Sequence, residues 1–172
     1  IHGANTYLLQ QFFSPHSNRR QDSWGGSREK RTRFPIEVLT KVQHVVAEKE
    51  ASHFIIGYRF SPEEIEEPGI RFEDTMFLLN TLAEYEPDYF HISANSYQRT
   101  SIVNQEDTEP LINKYIKMQS AQLAKIPLIG VGSIAQRQDA EHALELGYDL
   151  LSVGKAYLVE PQWTDKISQN EE

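Results

Sequence analysis

The segment "PLIGVGSIAQRQDAEHALELGYDLLSVGK", residues 127–155, decides the fold class. It opens with a short apolar run, 127–132, that ends in glycine. Residues 136–147 follow with helical spacing and stop at Gly147, a natural C-terminal helix position. A second apolar run, 149–154, again ends in glycine. Runs that are apolar on both faces and are joined by a helix belong in a parallel sheet, since a crossover must carry the chain back to start the second strand.

The same unit repeats toward the start of the chain. "SHFIIGYRF" (52–60) and "DYFHISA" (88–94) read as further buried strands, and Ile1 as the last residue of a first strand. Amphipathic stretches at 35–50, 71–86 and 109–125 lie between them, the first opened by Pro35 at the first helical position. A further helix start follows "VEPQW". Such βα alternation marks a parallel sheet with outer helices. Periodicity leaves both a doubly wound sheet and a closed (βα)8 barrel open. A barrel takes about 200–400 residues, so this chain holds roughly half of one.

Composition narrows the function. The net charge of −8 argues against nucleic-acid and anionic-membrane partners. No apolar run reaches the roughly 20 residues of a membrane-spanning helix. Cysteine is absent, which excludes disulfides and thiolate-bound metals within this chain and suits a cytoplasmic location. The histidines 16, 44, 53, 91 and 142 show no zinc spacing and read as structural, so no metal is expected. The polar tail "SQNEE" is expected to fray.

Polar residues cluster where the strands end, the face on which barrel and open α/β sites are built. His2 and Asn5 follow the first strand, and Arg59 ends the second. Ser93 and Asn95 end the third, Gly132 and Ser133 the fourth, and Gly154 and Lys155 the fifth. Asn5 could equally cap a turn and His2 be a satisfied loop histidine, and Tyr7 could pack with Leu8 and Phe12. Arg59 could pair with a loop carboxylate, although its apolar neighbours Ile55, Ile56 and Phe60 suggest a buried strand. Gly132, Ser133, Gly154 and Lys155 suit a phosphate, because glycine lets backbone N–H groups approach an anion and a helix N-terminus adds its dipole. The charged loop 17–34 reads as structural, with Asn18, Arg20 and Asp22 tying it and Arg31 and Arg33 in the helix beyond.

The ordered segments "IHGANTYLLQQFFSPHSNRRQDSWGGSREKRTRFP", "IGYRFSP", "FHISANSY", "IPLIGVGSI" and "LLSVGKAYLVEPQW" resemble the old yellow enzyme family of flavin-dependent oxidoreductases. The resemblance covers essentially the whole chain. It implies an α/β fold, the C-terminal part of a (βα)8 TIM barrel from the end of strand 4 through strand 8. Residues 1–172 would be the second half of a single FMN-binding domain whose first half lies outside this chain. It implies FMN as cofactor, NADH or NADPH as hydride donor, and an electron-poor C=C bond as acceptor. His2 and Asn5 would hold the acceptor's carbonyl and Tyr7 would supply a proton. Arg59 would sit by the flavin ring, and Gly132, Ser133, Gly154 and Lys155 would hold its phosphate.

Three departures accompany the resemblance: Thr6 stands where the family often has glycine, Lys155 where it has arginine, and Lys30 where it commonly has asparagine. The expected partners are a small-molecule electron acceptor and either a second copy or the missing barrel half. Two rivals remain at this level: a non-flavin barrel lyase or isomerase acting on a phosphorylated metabolite, and an inactive half barrel.

Overall fold

The computed structural model describes residues 1–51 and 53–169. Five strands form one parallel sheet in chain order: β1 (His2–Gly3), β2 (Gly57–Phe60), β3 (Tyr89–Ile92), β4 (Leu128–Val131) and β5 (Leu150–Ser152). The helices α1 (Leu8–Phe13), α2 (Arg28–Glu48), α3 (Phe72–Ala83), α4 (Leu111–Met118) and α5 (Arg137–Leu146) occupy the crossovers. Two short helices, α6 (Lys155–Val159) and α7 (Trp163–Ser168), follow β5. Each strand pairs with its neighbour in sequence, so β1 and β5 are the sheet's edges.

The core lies between the sheet and the helices. Tyr58, Phe60, Phe90, Ile92 and Leu128 are buried, with edge-on contacts between the Phe90 ring and those of Tyr58 and Phe60. Met76, Leu79 and Leu82 of α3 are buried in the same cluster. Burying each such side chain is worth about 1.5–3 kcal/mol. Side chains alternate along a strand, so Arg59 and His91 take the opposite face. The register sets His2 beside Arg59, Arg59 beside His91, and His91 beside Ile129.

Four expectations are corrected. Helix α2 starts at Arg28, not Pro35, and carries the proline inside it. Ser27 caps it, Thr32 Oγ bonds the Arg28 carbonyl at 2.8 Å, and Arg31 reaches back to the carbonyls of Phe13 (2.8 Å) and Gly26 (2.6 Å). These ties outweigh the roughly 3 kcal/mol a proline costs inside a helix. The second strand is shorter than 52–60. It begins at Gly57, because β3 offers its first partner at Tyr89, and Phe54 and Ile55 are exposed rather than buried. Ser52 lies outside the described residues, as do residues 170–172 of the tail.

The 109–125 stretch breaks after Met118. The Asn80 side chain intervenes, donating to the Met118 carbonyl at 3.1 Å and accepting from the Ser120 N–H at 2.8 Å, and only a 3₁₀ turn, Leu123–Lys125, resumes. The first strand holds His2–Gly3 instead of ending at Ile1. Helices α3 and α5 fall where the spacing put them, and Gly147 closes α5 with φ 114°.

Candidate functional site

The residues singled out at the strand ends assemble on one rim of the sheet, in two groups. At the β1–β3 end, the chain leaves β1 through a tight turn closed by Tyr7 N–H to the Ala4 carbonyl, 3.2 Å. Asn5 (φ 56°) and Thr6 (φ 60°) are both left-handed. Thr6 therefore takes a conformation that glycine would adopt most easily. The conformation is held from outside. Asn5 N–H donates to Ser61 Oγ (2.9 Å) and Thr6 N–H to Gln10 Oε1 (3.0 Å). The Thr6 hydroxyl bonds the Asn5 carbonyl at 2.7 Å.

The Asn5 side chain accepts from Ser93 Oγ at 2.7 Å, and Arg59 Nη2 donates to the same Ser93 Oγ at 3.1 Å. Asn5, Ser93 and Arg59, which come from three successive strand ends, are thus one hydrogen-bonded group. Arg59 makes no ion pair among the described residues, and its Nε is buried without a partner. The loop carboxylate weighed for it is not there. His2 has its pKa lowered, first by desolvation and then by Arg59. His91 is lowered by the same two causes in the same order, and its Nε2 is buried without a partner. Both imidazoles thus lean neutral beside a fixed cation.

Tyr7 caps α1 and stands 61% exposed, its ring tilted against His2 at 5.1 Å between centroids. It does not pack into a core with Leu8 and Phe12; Leu8 is exposed and Phe12 stacks on Phe34 at 4.0 Å. The Tyr7 hydroxyl is therefore free to meet a substrate.

At the β4–β5 end the geometry is made by the backbone. Gly132 has φ 96°, and a Cβ there would fall 2.5 Å from the carbonyl carbon of Asn95, so no other residue fits. Ser133 (φ 55°) continues the left-handed turn and its hydroxyl bonds the Asn95 carbonyl at 3.1 Å. Gly154 differs: a Cβ there would meet nothing within 4 Å. Lys155 is exposed and has no hydrogen bond or ion pair among the described residues. Together with Asn95 and Val131 these residues line a cavity of about 390 Å³. A cation with no counter-charge among the described residues, open space before Gly154 and a cavity of this size fit a flavin phosphate. The chain enters α5 (N-cap Gln136) over a carboxylate of the helix's own first turn. The N–H groups of Ala135 and Gln136 both donate to Asp139 at 2.9 Å as α5 begins.

Sequence reasoning missed the supports beneath the first group. Glu64 is buried and accepts from Gln10 Nε2 (2.7 Å), Ser14 Oγ (2.5 Å) and Ile70 N–H (3.0 Å). Glu63, also buried, holds Ser101 Oγ and Ile102 N–H, each at 2.9 Å. Both sit in "SPEEIEEPG" (61–69), which reads as a solvated acidic loop. Its place directly after a strand end is the only signal that separates these two carboxylates from Glu66 and Glu67. The tethers of the 17–34 loop are as expected. Asn18 Nδ2 donates to the carbonyls of Phe12 (2.6 Å) and Trp24 (2.7 Å), and Arg20 pairs with Asp22. Among the described residues no cluster of His, Cys, Asp and Glu could hold a metal ion, and no helix is long and apolar enough to cross a membrane.

Comparison with known proteins gives the family and the fold. The family described as NADH:flavin oxidoreductase / NADH oxidase matches across residues 1–172. NADH:acrylate oxidoreductase of Vibrio harveyi is 66% identical over 99% of this chain, and NADH:fumarate oxidoreductase of Klebsiella pneumoniae (strain 342) is 54% identical over all of it. The chain spans only 17% and 19% of those two relatives. In structure it superposes on the old yellow enzyme homologue of Zymomonas mobilis with a TM-score of 0.74 at 19% identity, covering 100% of this chain and 46% of that one. The five strands and their helices are thus part of a (βα)8 barrel, which rules out the doubly wound sheet, and the full-length family match decides against a lyase or isomerase without flavin. The chain belongs to the NADH:flavin oxidoreductase / NADH oxidase family, whose reagents are a reduced nicotinamide and a flavin.

Proposed function

We propose that these residues form the C-terminal half of an FMN-holding barrel that takes hydride from NADH and passes it to a C=C bond conjugated to a carboxylate or carbonyl. The observation that carries this reading is Arg59: a permanent cation with no counter-charge among the described residues, on the same rim as an exposed phenol and an oriented carboxamide. The names of the two relatives, an acrylate and a fumarate oxidoreductase, suggest an unsaturated carboxylate as the acceptor.

When bound, FMN supplies hydride transfer between the nicotinamide and the acceptor. The chain's residues do the rest. His2 and Asn5 donate hydrogen bonds to the acceptor's oxygen and stabilise the negative charge that collects there, as an oxyanion hole does. Tyr7 delivers a proton to the carbon next to that group. Arg59 favours negative charge beside it by Coulomb attraction. Lys155, with the backbone at Gly132, Ser133 and Gly154, holds the cofactor's phosphate. Leu8 at the β1 end, and Leu150, Leu158 and Val159 at the β5 end, are exposed apolar side chains, and the other half of the barrel is the surface that covers them.

The test is anaerobic. Full-length protein should release FMN on denaturation. Its visible flavin absorption should bleach with NADH and return when acrylate is added. Protein without flavin, or flavin indifferent to NADH, would end the reading.

A second reading keeps the NADH reaction here and places the reduction of the carboxylate elsewhere. The chain spans 46% of the old yellow enzyme homologue but only 17% of the acrylate-named relative, which is therefore more than twice as long as that barrel. Electrons would then leave this site for another part of the polypeptide, and Tyr7 would have no proton to deliver.

A further inference from the structure

A carboxamide has two ends of nearly equal shape, and only its NH₂ end can donate to a carbonyl oxygen. Asn5 lies on an exposed turn, so packing does not choose between them. We propose that Ser93 is a positioning residue: its hydroxyl, held by Arg59, fixes the Asn5 carboxamide so that the NH₂ end faces the substrate. The inference rests on the role assigned to Asn5 above.

The argument follows from counting hydrogens. Arg59 can only donate, so at 3.1 Å Ser93 Oγ must accept from it. The hydroxyl carries one hydrogen, and its only acceptor among the described residues is Asn5 Oδ1 at 2.7 Å. Reversing the amide would make Asn5 the donor to Ser93 Oγ and strand that hydrogen without an acceptor. It would also turn the positive end of the amide dipole toward the guanidinium. Both effects oppose the reversed form. The Arg59 charge further polarises the hydroxyl it holds and strengthens its bond to Asn5.

The backbone beneath is pinned separately. Ser61 holds the Asn5 N–H, and Gln10, itself held by Glu64, holds the Thr6 N–H. What is left for Ser93 to set is the rotation of the amide alone. Because Arg59 supplies the polarity, one guanidinium both offers its charge to the rim and, through Ser93, dictates that Asn5 is a donor.

The ligand chemistry is a carbonyl oxygen awaiting a donor. It could come from the carboxamide of the nicotinamide or from an unsaturated acyl acceptor. Two probes that do not react separate these sources: tetrahydroNADH and propionate. Their dissociation constants are measured by calorimetry on flavin-loaded, full-length protein, for Ser93→Ala, Ser93→Thr, Asn5→Ala and the Ser93/Asn5 double variant. Ser93→Ala should weaken at least one probe by roughly tenfold, the worth of one oriented hydrogen bond. Ser93→Thr, which keeps the hydroxyl, should restore it. In the Asn5→Ala background, Ser93→Ala should cost less than about twofold, since a residue that acts through Asn5 has nothing left to act on.

Which probe responds identifies the source of the carbonyl. Should the alanine variant fail to retain flavin, Ser93→Cys, similar in shape and only a weak donor, is expected to show the same pattern. Equal losses with and without Asn5, or no loss on either probe, would overturn the proposal while leaving the flavin reading intact. Unmodified protein that binds flavin but neither probe would remove the role of Asn5 and the proposal with it.

Discussion

The two ends of the rim are built by different means. At the β1–β3 end, side chains hold one another: Arg59, Ser93 and Asn5 are bonded in series, and Ser61, Gln10 and Glu64 brace the turn from below. At the β4–β5 end the shape comes from left-handed backbone at Gly132 and Ser133, and the one cation, Lys155, is bonded to nothing in the described chain. The first end is preorganised to aim donors at developing charge, where small errors of position are costly. The phosphate role proposed for the second end asks less of position, since an ammonium on a flexible stem acts as a point charge.

The sharpest break in this comparison is expected at Tyr7. Tyr7→Phe removes only a hydroxyl that bonds nothing among the described residues. Flavin content and bleaching by NADH should stay near normal, while alkene reduction in stopped-flow traces slows by about 10²–10⁴-fold, the usual worth of a positioned acid. An unchanged alkene step would favour the reading in which electrons leave this site.

Gly132→Ala probes the other end through its backbone. A left-handed alanine with its Cβ 2.5 Å from the Asn95 carbonyl carbon should lower stability by about 2–4 kcal/mol, from the conformational cost and the overlap together. Chemical denaturation of the full-length protein reads this, and a loss below about 1 kcal/mol would mean that the loops move apart easily.

Lys155→Ala should weaken FMN by roughly ten- to hundredfold and riboflavin much less, since a charge-assisted bond is worth about 1.5–3 kcal/mol. Equal losses for both would show that Lys155 does not read the phosphate. The smallest effect is expected at Thr6→Gly, which relieves a β-branched residue at φ 60° but frees the unfolded chain. The net gain should be about 0.5–1 kcal/mol in the same denaturation assay, and a loss would mean that the Thr6 hydroxyl bond outweighs the strain.

The contrast also explains what could be read from the sequence. The βα alternation, the Gly147 stop and the rim positions of Arg59, Gly132 and Lys155 were legible because each depends on local spacing. Pro35 was misleading because the contacts that carry α2 past it come from Phe13 and Gly26. The breaks and braces were hidden for the same reason. Asn80 interrupts the helix after Met118, and Glu64 gathers Gln10, Ser14 and Ile70. In each case an ordinary surface residue type is given its job by partners that only the fold brings near.

The chain-order sheet has a consequence for how the rim comes into being. Within the described sheet each strand pairs only with its neighbours in sequence, and the intervening chain is shortest between β4 and β5 and longest between β1 and β2. Closing the shorter loop costs less entropy. The β4–α5–β5 unit is therefore expected to form first and the β1–β2 pairing last. Pulse-labelled hydrogen exchange during refolding would show Leu150–Ser152 protected before the Arg59 amide; the reverse order would refute it. On refolding from the complete chain, the left-handed turn at Gly132 and Ser133 would then be in place before Arg59, Ser93 and Asn5 are brought together.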